Sequence, residues 1–257
     1  MSGIYNLVSA GKALERKMEI NTNNLTNVDT AGYKEDHLTF REVLSTANRV
    51  VPESGEELFQ SHENLDLYVG MDKSSVIVDG IGKDFSTGPM RFTDNPLDIA
   101  IGNEGFFTVA TPQGNRYSRT GQFTMDMNGT IVTSDGYPLL GEKGPIVVQG
   151  TDIKINEDGG VEVDGAAIDK LRLVRFRDPA SLQKLGKSFY APISSDNVPV
   201  PSDEIKVRQG MIEESNVNTI TGMVKMIDGN RTYESVRKAM TTIDRLDEKA
   251  ISISRIG

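Results

Sequence analysis

The sequence predicts an α+β, multidomain chain. Its N- and C-terminal helices pair as a coiled-coil-like domain, and its middle is a mainly antiparallel β domain. Apolar residues recur at spacings of three and four at both ends, as a helix with one buried seam requires. Between the ends the period falls to two, punctuated by turn residues, the pattern of short strands. On this reading residues 1–34 plus 212–257 form the helical terminal domain. Residues 35–81 are an extended connector with short strands, and 82–211 are the β domain.

The first helix is read from Ile4, Leu7, Gly11, Leu14, Met18, Asn21, Leu25 and Val28, of which six are large and apolar. Lys12, Glu15, Arg16, Lys17 and Glu19 fill the positions between. A repeat of 3.5 residues keeps one narrow seam toward a partner helix, whereas a helix packed on its own globule shows a wider stripe. That wider packing stays open as the alternative. Asn21 on the seam is placed to fix register. Asn23, Asn24 and Asn27 are poor residues for an isolated helix, since their short amides compete for backbone groups. They either cap a fraying end or bond a neighbouring chain. Gly32 is placed to stop the helix in a left-handed turn.

From Pro52 the chain is acidic and irregular, so 45–70 reads as an exposed connector, with strand-like alternation returning over Leu67–Val78. Asp98–Ile101 and Phe106–Val109 are strand candidates split by a glycine-bearing turn. Phe123–Asp126 and Thr130–Val132 flank Asn128-Gly129, the strongest short hairpin signal. Ile153–Ile155 and Val161–Val163 flank Asp158-Gly159-Gly160, and Leu171–Phe176 is a further strand. Residues 177–207 read as loop-rich, because Pro192, Pro199 and Pro201 limit ladder formation. The helical period returns with Val217, Ile220, Val224 and Ile227. Gly229-Asn230 interrupts it, and Val236, Met240, Ile243, Ala250 and Ile253 resume on a shifted seam. Ser215–Asn218 offers N-cap chemistry, with Glu213 and Glu214 favourable to the helix dipole.

Composition narrows the function. A chain of 257 residues can bury a sizeable core. Its net charge of −9 argues against wrapping nucleic acid. No run approaches the eighteen or so apolar residues of a membrane span, so no direct membrane insertion is expected. The chain has no cysteine, which removes disulfides, zinc-thiolate sites and thiol nucleophiles. A basic start followed by an apolar run is missing at the N-terminus, so no cleaved signal peptide is expected. Gly80-Ile81-Gly82 lacks the third glycine of a dinucleotide loop and reads as a turn. Asp126, Asn128 and Gly129 resemble the start of a calcium loop, but Tyr137 stands where the closing Glu belongs. The two histidines, His37 and His62, have no persuasive serine or metal partners. Arg116 and Arg119 are expected to pair with the acidic surface. No catalytic constellation emerges, and neither a metal nor another cofactor is expected.

Asn23-Asn24-Leu25 through Gly32-Tyr33-Lys34 resembles the N-terminal signature of the bacterial flagellar rod, hook and hook-associated proteins. Gly210–Asn218 with Arg231-Thr232-Tyr233-Glu234 is similar to the C-terminal signature of that family. Asn95–Ile101 to Gly105-Phe106-Phe107, and Tyr117–Phe123 with Asp126 and Gly129, match its middle. The resemblance covers nearly the whole chain except 45–70 and 177–207. Chain length and the Gly141–Ile146 segment are more similar to proximal-rod members than to the longer distal-rod members.

The resemblance implies a structural subunit of the basal-body rod in the periplasm, without enzymatic activity. It would be exported through the flagellar type III apparatus without a cleaved signal peptide. Its partners would be copies of itself and other rod proteins, with MS-ring or hook-side components as further candidates, and it would assemble helically to transmit torque for motility. Leu7, Leu14, Met18, Leu25, Val224, Ile227, Met240 and Ile243 would hold helices within and between chains. Asn23, Asn24, Asn27, Asn216 and Asn218 would contact neighbouring subunits. The alternatives are a distal rod or hook protein of the same family, or a β-rich phage-tail or adhesin-like binding module. A polysaccharide-active enzyme would need two carboxylates facing across a cleft.

Overall fold

A computed structural model describes residues 2–43, 75–186, 188–202 and 204–254. The expected connector at 45–70, including His62, lies outside the described residues. The chain divides into two units. A helical unit comprises Met1–Thr22, His37–Gly82 and Thr221–Gly257. A sheet unit comprises Asn23–Asp36 and Lys83–Ile220.

In the helical unit, α1 (Ser2–Thr26) and α2 (Thr219–Ser254) are continuous helices. α2 carries three each of Lys, Arg and Met, which lose little conformational freedom in a helix, and the middle of α1, Lys12–Glu19, is of the same kind. Gly229 does not interrupt α2, contrary to the reading above. A Cβ added there would lie 3.1 Å from Met18 Cγ, so the missing side chain is where α1 approaches. Gly11 mirrors this on α1, with Met240 Cε 3.4 Å from its would-be Cβ. Glu15 accepts a hydrogen bond from the Tyr233 hydroxyl at 2.6 Å, and Thr22 Oγ1 lies 3.4 Å from Met226 Sδ. Contacts on α1 therefore ascend as those on α2 descend, and the helices touch in antiparallel register. β1 (Asp36–Val43) pairs with β2 (Ser75–Lys83). Gly80 and Gly82 lie inside β2 rather than in a turn. A Cβ at Gly82 would come within 2.6 Å of His37 Nε2, so the glycines admit a crowded neighbouring strand.

Among the described residues, fifteen short strands build the sheet unit. In order they are β3 (Met90–Phe92), β4 (Ile99–Ile101), β5 (Phe106–Thr111), β6 (Gly114–Ser118), β7 (Phe123–Met125) and β8 (Ile131–Thr133). Then follow β9 (Ile153–Ile155), β10 (Gly160–Val163), β11 (Ala166–Lys170), β12 (Leu173–Arg175) and β13 (Leu182–Leu185). The last four are β14 (Phe189–Pro192), β15 (Val200–Pro201), β16 (Val207–Gln209) and β17 (Met211–Glu213). The largest sheet has the order β13-β14-β6-β5-β12-β15 and is antiparallel throughout. A three-stranded antiparallel sheet runs β11-β10-β9. The remaining strands pair as β16-β4, β17-β3 and β7-β8.

Central strands β5 and β12 feed two cores from one sheet, because successive side chains point to opposite faces. The Leu173–Phe107 pair enters a core with Ile99, Phe123, Ile131 and Val161. The adjoining Val174–Phe106 pair enters a second with Tyr117, Phe176, Leu182 and Tyr190. There Phe106 packs edge-to-face on Phe85, Phe176 and Tyr190, at centroid distances of 5.5 to 5.7 Å. Each fully buried side chain of this size contributes about 1.5–3 kcal/mol.

The Asn128-Gly129 hairpin forms as expected, with Gly129 at φ +79° and Asp126 Oδ1 accepting from the Asn128 and Thr130 amides. Residues 182–192 correct the loop-rich reading, for β13 and β14 are a hairpin that extends the main sheet. The prolines do not forbid it. Pro192 ends β14, and Pro201 sits in the edge strand β15, where a missing N–H costs little.

Candidate assembly interface

The junction where the chain ends enter and leave the sheet unit is built from buried polar groups. After α1 the backbone turns at Gly32, whose φ is +67°. A Cβ there would fall 2.6 Å from the carbonyl carbon and oxygen of Arg119, so glycine is needed for conformation and for space. The Gly32 amide donates to the Glu213 carbonyl at 2.7 Å, tying the exit of the N-terminal helix to the strand that precedes the C-terminal one.

Lys34, Arg119 and Glu213 are buried together, at 1%, 2% and 1% exposure. Glu213 Oε1 accepts from Lys34 Nζ at 2.7 Å and from the Gly88 amide at 2.8 Å. Its Oε2 lies 3.1 Å from Arg119 Nε. Lys34 also donates to the Ser86 carbonyl at 2.6 Å, and Arg119 NH1 donates to the Asn103 and Gly105 carbonyls, both at 2.7 Å. One buried carboxylate thus serves two buried cations. Burial, then the neighbouring Arg119 guanidinium, push the Lys34 ammonium below the usual lysine range. Arg119 therefore pairs inside the molecule rather than with the acidic surface. Glu213 acts inside it too, in β17, rather than on a helix dipole, for α2 begins at Thr219.

The asparagines split by role. Asn24 is 3% exposed and forms a two-way bridge to Asp36: its Nδ2 donates to the Asp36 carbonyl and its Oδ1 accepts from the Asp36 amide. Asn216 Oδ1 accepts from the Glu35 amide, and its Nδ2 reaches the Asp84 and Ser86 carbonyls. Both side chains hold the chain to itself. Asn23 is exposed and Asn27 half-buried, bonded to each other one helical turn apart, and Asn218 is exposed. The Tyr33 hydroxyl sits 2.8 Å from Asn23 Oδ1 and 3.0 Å from Asn24 Oδ1, with Lys184 Nζ 3.9 Å over its ring.

Burial, followed by the charge of Asp36, holds the Tyr33 and Tyr190 phenols well above the usual tyrosine range. A raised folded-state pKa means their contribution is whole below about pH 10, where unfolded tyrosine ionises, and is lost as pH climbs beyond it. Circular dichroism between pH 8 and 12 should show cooperative loss of structure, moved to higher pH by Tyr190→Phe. An unshifted midpoint in that variant would refute the assignment.

On the helices, Leu7, Leu14, Met18 and Leu25 are half-buried along α1, with Gly11 and Asn21 buried between them. Ile20, off this seam, is also buried at 7%. On α2 the half-buried positions are Thr219, Gly222, Met226, Gly229, Tyr233, Val236, Ala239, Met240 and Ile243, spaced three and four in alternation apart from Ala239. Val224 and Ile227 stand outside that set at 52% and 53% exposure, beside Met223 at 50% and Ile220 at 76%. Sequence reasoning missed Gly222, Met226 and Tyr233 because it followed the most apolar residues rather than the most constant spacing. No helix among the described residues is long and apolar enough to cross a membrane.

Interlocked chain ends, a sheet-rich middle inserted between them, and a row of large apolar side chains left uncovered on one helix define a structural subunit. Comparison with known proteins makes the class specific. Residues 4–34 match the family model described as flagella basal body rod protein. Residues 100–163 match the flagellar hook protein FlgE/F/G D1 domain, and 208–253 the flagellar basal body rod FlgEFG protein C-terminal model. The chain is 31% identical to the flagellar basal-body rod protein FlgG of Buchnera aphidicola subsp. Schizaphis graminum, over 92% of this chain and 94% of that protein. It is 29% identical to FlgF of Caulobacter vibrioides (100% of this chain, 98% of the relative) and 28% identical to FlgG of Bacillus subtilis (99% and 100%). The chain belongs to the flagellar basal-body rod protein family, of the FlgF or FlgG type. It is a structural rod subunit of the flagellum, in a family whose members assemble with other flagellar components.

Proposed function

We propose that the paired terminal helices form a coiled-coil-like core that stacks on copies of this chain and on other rod subunits, and so carries torque along the rod. The observation that supports this best is the α2 row Met223, Val224 and Ile227, each at least half exposed. Such a row on a helix already engaged through its other side marks a face for another chain. A contact between unlike faces that does not close into a ring builds an open helical stack. Leu7, Leu14, Met18, Leu25, Met240 and Ile243 hold the helices within the subunit. Val224 and Ile227 face the neighbour, with Asn23, Asn27 and Asn218 as polar contacts at the helix ends. Export through the flagellar type III apparatus into the periplasm-spanning rod completes the reading. MS-ring or hook-side components are candidate neighbours at its ends.

The Gly141–Ile146 segment and the relative named FlgF that aligns over the whole chain favour the proximal, FlgF-type position. Full-length relatives named FlgG favour the distal position, the second reading. The test common to both is the double variant Val224→Asp/Ile227→Asp. These side chains are exposed, so the monomer should keep its stability within about 0.5 kcal/mol. Burying charge in an interchain contact is costly, so swimming in soft agar and recovery in purified basal bodies should be lost. Normal motility would remove the interface assignment.

A further inference from the structure

The chain enters and leaves the sheet unit through one point. The segment leaving α1 and the segment entering α2 are bonded side by side: Gly32 N to the Glu213 carbonyl, Lys34 Nζ to Glu213 Oε1, Glu35 N to Asn216 Oδ1. Lys34 and Asn216 both reach the Ser86 carbonyl, and Arg119 binds Glu213 from the 103–119 side. Everything between residues 37 and 212 is therefore a loop whose two ends are stapled together.

The structure assigns this junction as a mechanical clamp, and we propose that tension between the two terminal helices passes across Gly32–Glu35 and Glu213–Asn216 and bypasses the six- and three-stranded sheets. The geometry supports it in two ways. The bonds connect the segment following α1 directly to the segment preceding α2. A pull on the helices therefore loads these bonds together with the end of the short β17–β3 pair (Glu213 opposite Met90, Glu214 N on the Pro89 carbonyl) before any bond of the six- or three-stranded sheets. They are also several, and the Lys34–Glu213–Arg119 ion pairs among them are buried from water, so their loss is cooperative rather than one by one. The purpose assigned to the clamp rests on the torque-carrying reading. Its existence does not, and a single monomer suffices to test it.

The experiment is constant-force spectroscopy on the full chain. Cysteine handles replace Ser2 and Gly257, since the protein has no other cysteine. After the helices separate, the 37–212 segment should stay closed until one rupture releases about 60 nm, at roughly 3.5 Å per extended residue. The dwell before that event should shorten about tenfold or more in Lys34→Met and in the isosteric Glu213→Gln, which keeps an acceptor oxygen but drops the charge. Ile131→Ala, in the core away from the clamp, should leave the dwell before that rupture within about threefold of wild type. Extension of 37–212 in several smaller steps before any large event would overturn the proposal. So would wild-type dwells in both clamp variants, or equal shortening by Ile131→Ala. If Lys34→Met does not fold, Glu213→Gln alone decides. A chain that shows the single rupture yet never enters rods would instead count against the rod-interface reading and leave the clamp standing.

Discussion

Glu213→Ala is expected to destabilise the sheet unit by about 3–5 kcal/mol, the range for removing one partner of a buried ion pair. The reason is the imbalance at the junction: Glu213 is the carboxylate that both Lys34 and Arg119 touch, and its loss strands two cations at 1% and 2% exposure. Lys34→Met should cost clearly less. It removes an ammonium that burial and Arg119 already disfavour, and the Arg119–Glu213 pair remains. Urea unfolding followed by tyrosine fluorescence measures both variants. If Lys34→Met proves as damaging as Glu213→Ala, the carboxylate is not the centre of the cluster. A stability near the total of a typical domain, about 5–15 kcal/mol, means Glu213→Ala should also lower the amount of folded protein in cells.

Gly32→Ala carries the second large effect. A non-glycine residue in the left-handed region costs about 1–2 kcal/mol from conformation alone. Here the added methyl would also sit 2.6 Å from the Arg119 carbonyl, which is backbone and cannot rotate away. The sum should reach about 3 kcal/mol or more. Gly136→Ala separates the two causes, for Gly136 has φ +81° with open space around it. That variant should lose only about 1 kcal/mol. Equal losses in the two variants would mean the Arg119 contact contributes nothing.

The sequence made the helices legible because their repeat is local: a seam such as Leu7, Leu14 and Met18 can be read without knowing what it faces. It also made the β7-β8 and β9-β10 hairpins legible, since glycines at Asn128-Gly129 and Gly159 announce their turns. Glycine misled where its use was tertiary. Gly229 reads as an interruption in a helix, yet it is the hollow that receives Met18. The asparagines have a tertiary use that spacing does not show. Asn24 and Asn216 read as polar groups at the helix ends, and within the chain they bond backbone at Asp36, Glu35 and Asp84.

The buried triad could not be read from spacing, because Arg119 and Glu213 are 94 residues apart and Lys34 is 179 from Glu213. Its one local signal was the run Gly32-Tyr33-Lys34, visible through resemblance rather than physics. The β13-β14 hairpin was hidden by proline, whose penalty depends on which side of a sheet its nitrogen faces, and sequence does not carry that information.

The stapled loop has a consequence for how such a chain can vary. With residues 36 and 213 held near one another, the length and content of what lies between do not set the spacing of the two ends. Segments can be lengthened, trimmed or replaced within that insert while the helices keep their register, much as domains are inserted where termini lie close. The helical ends can thus stay constant while the insert between them changes.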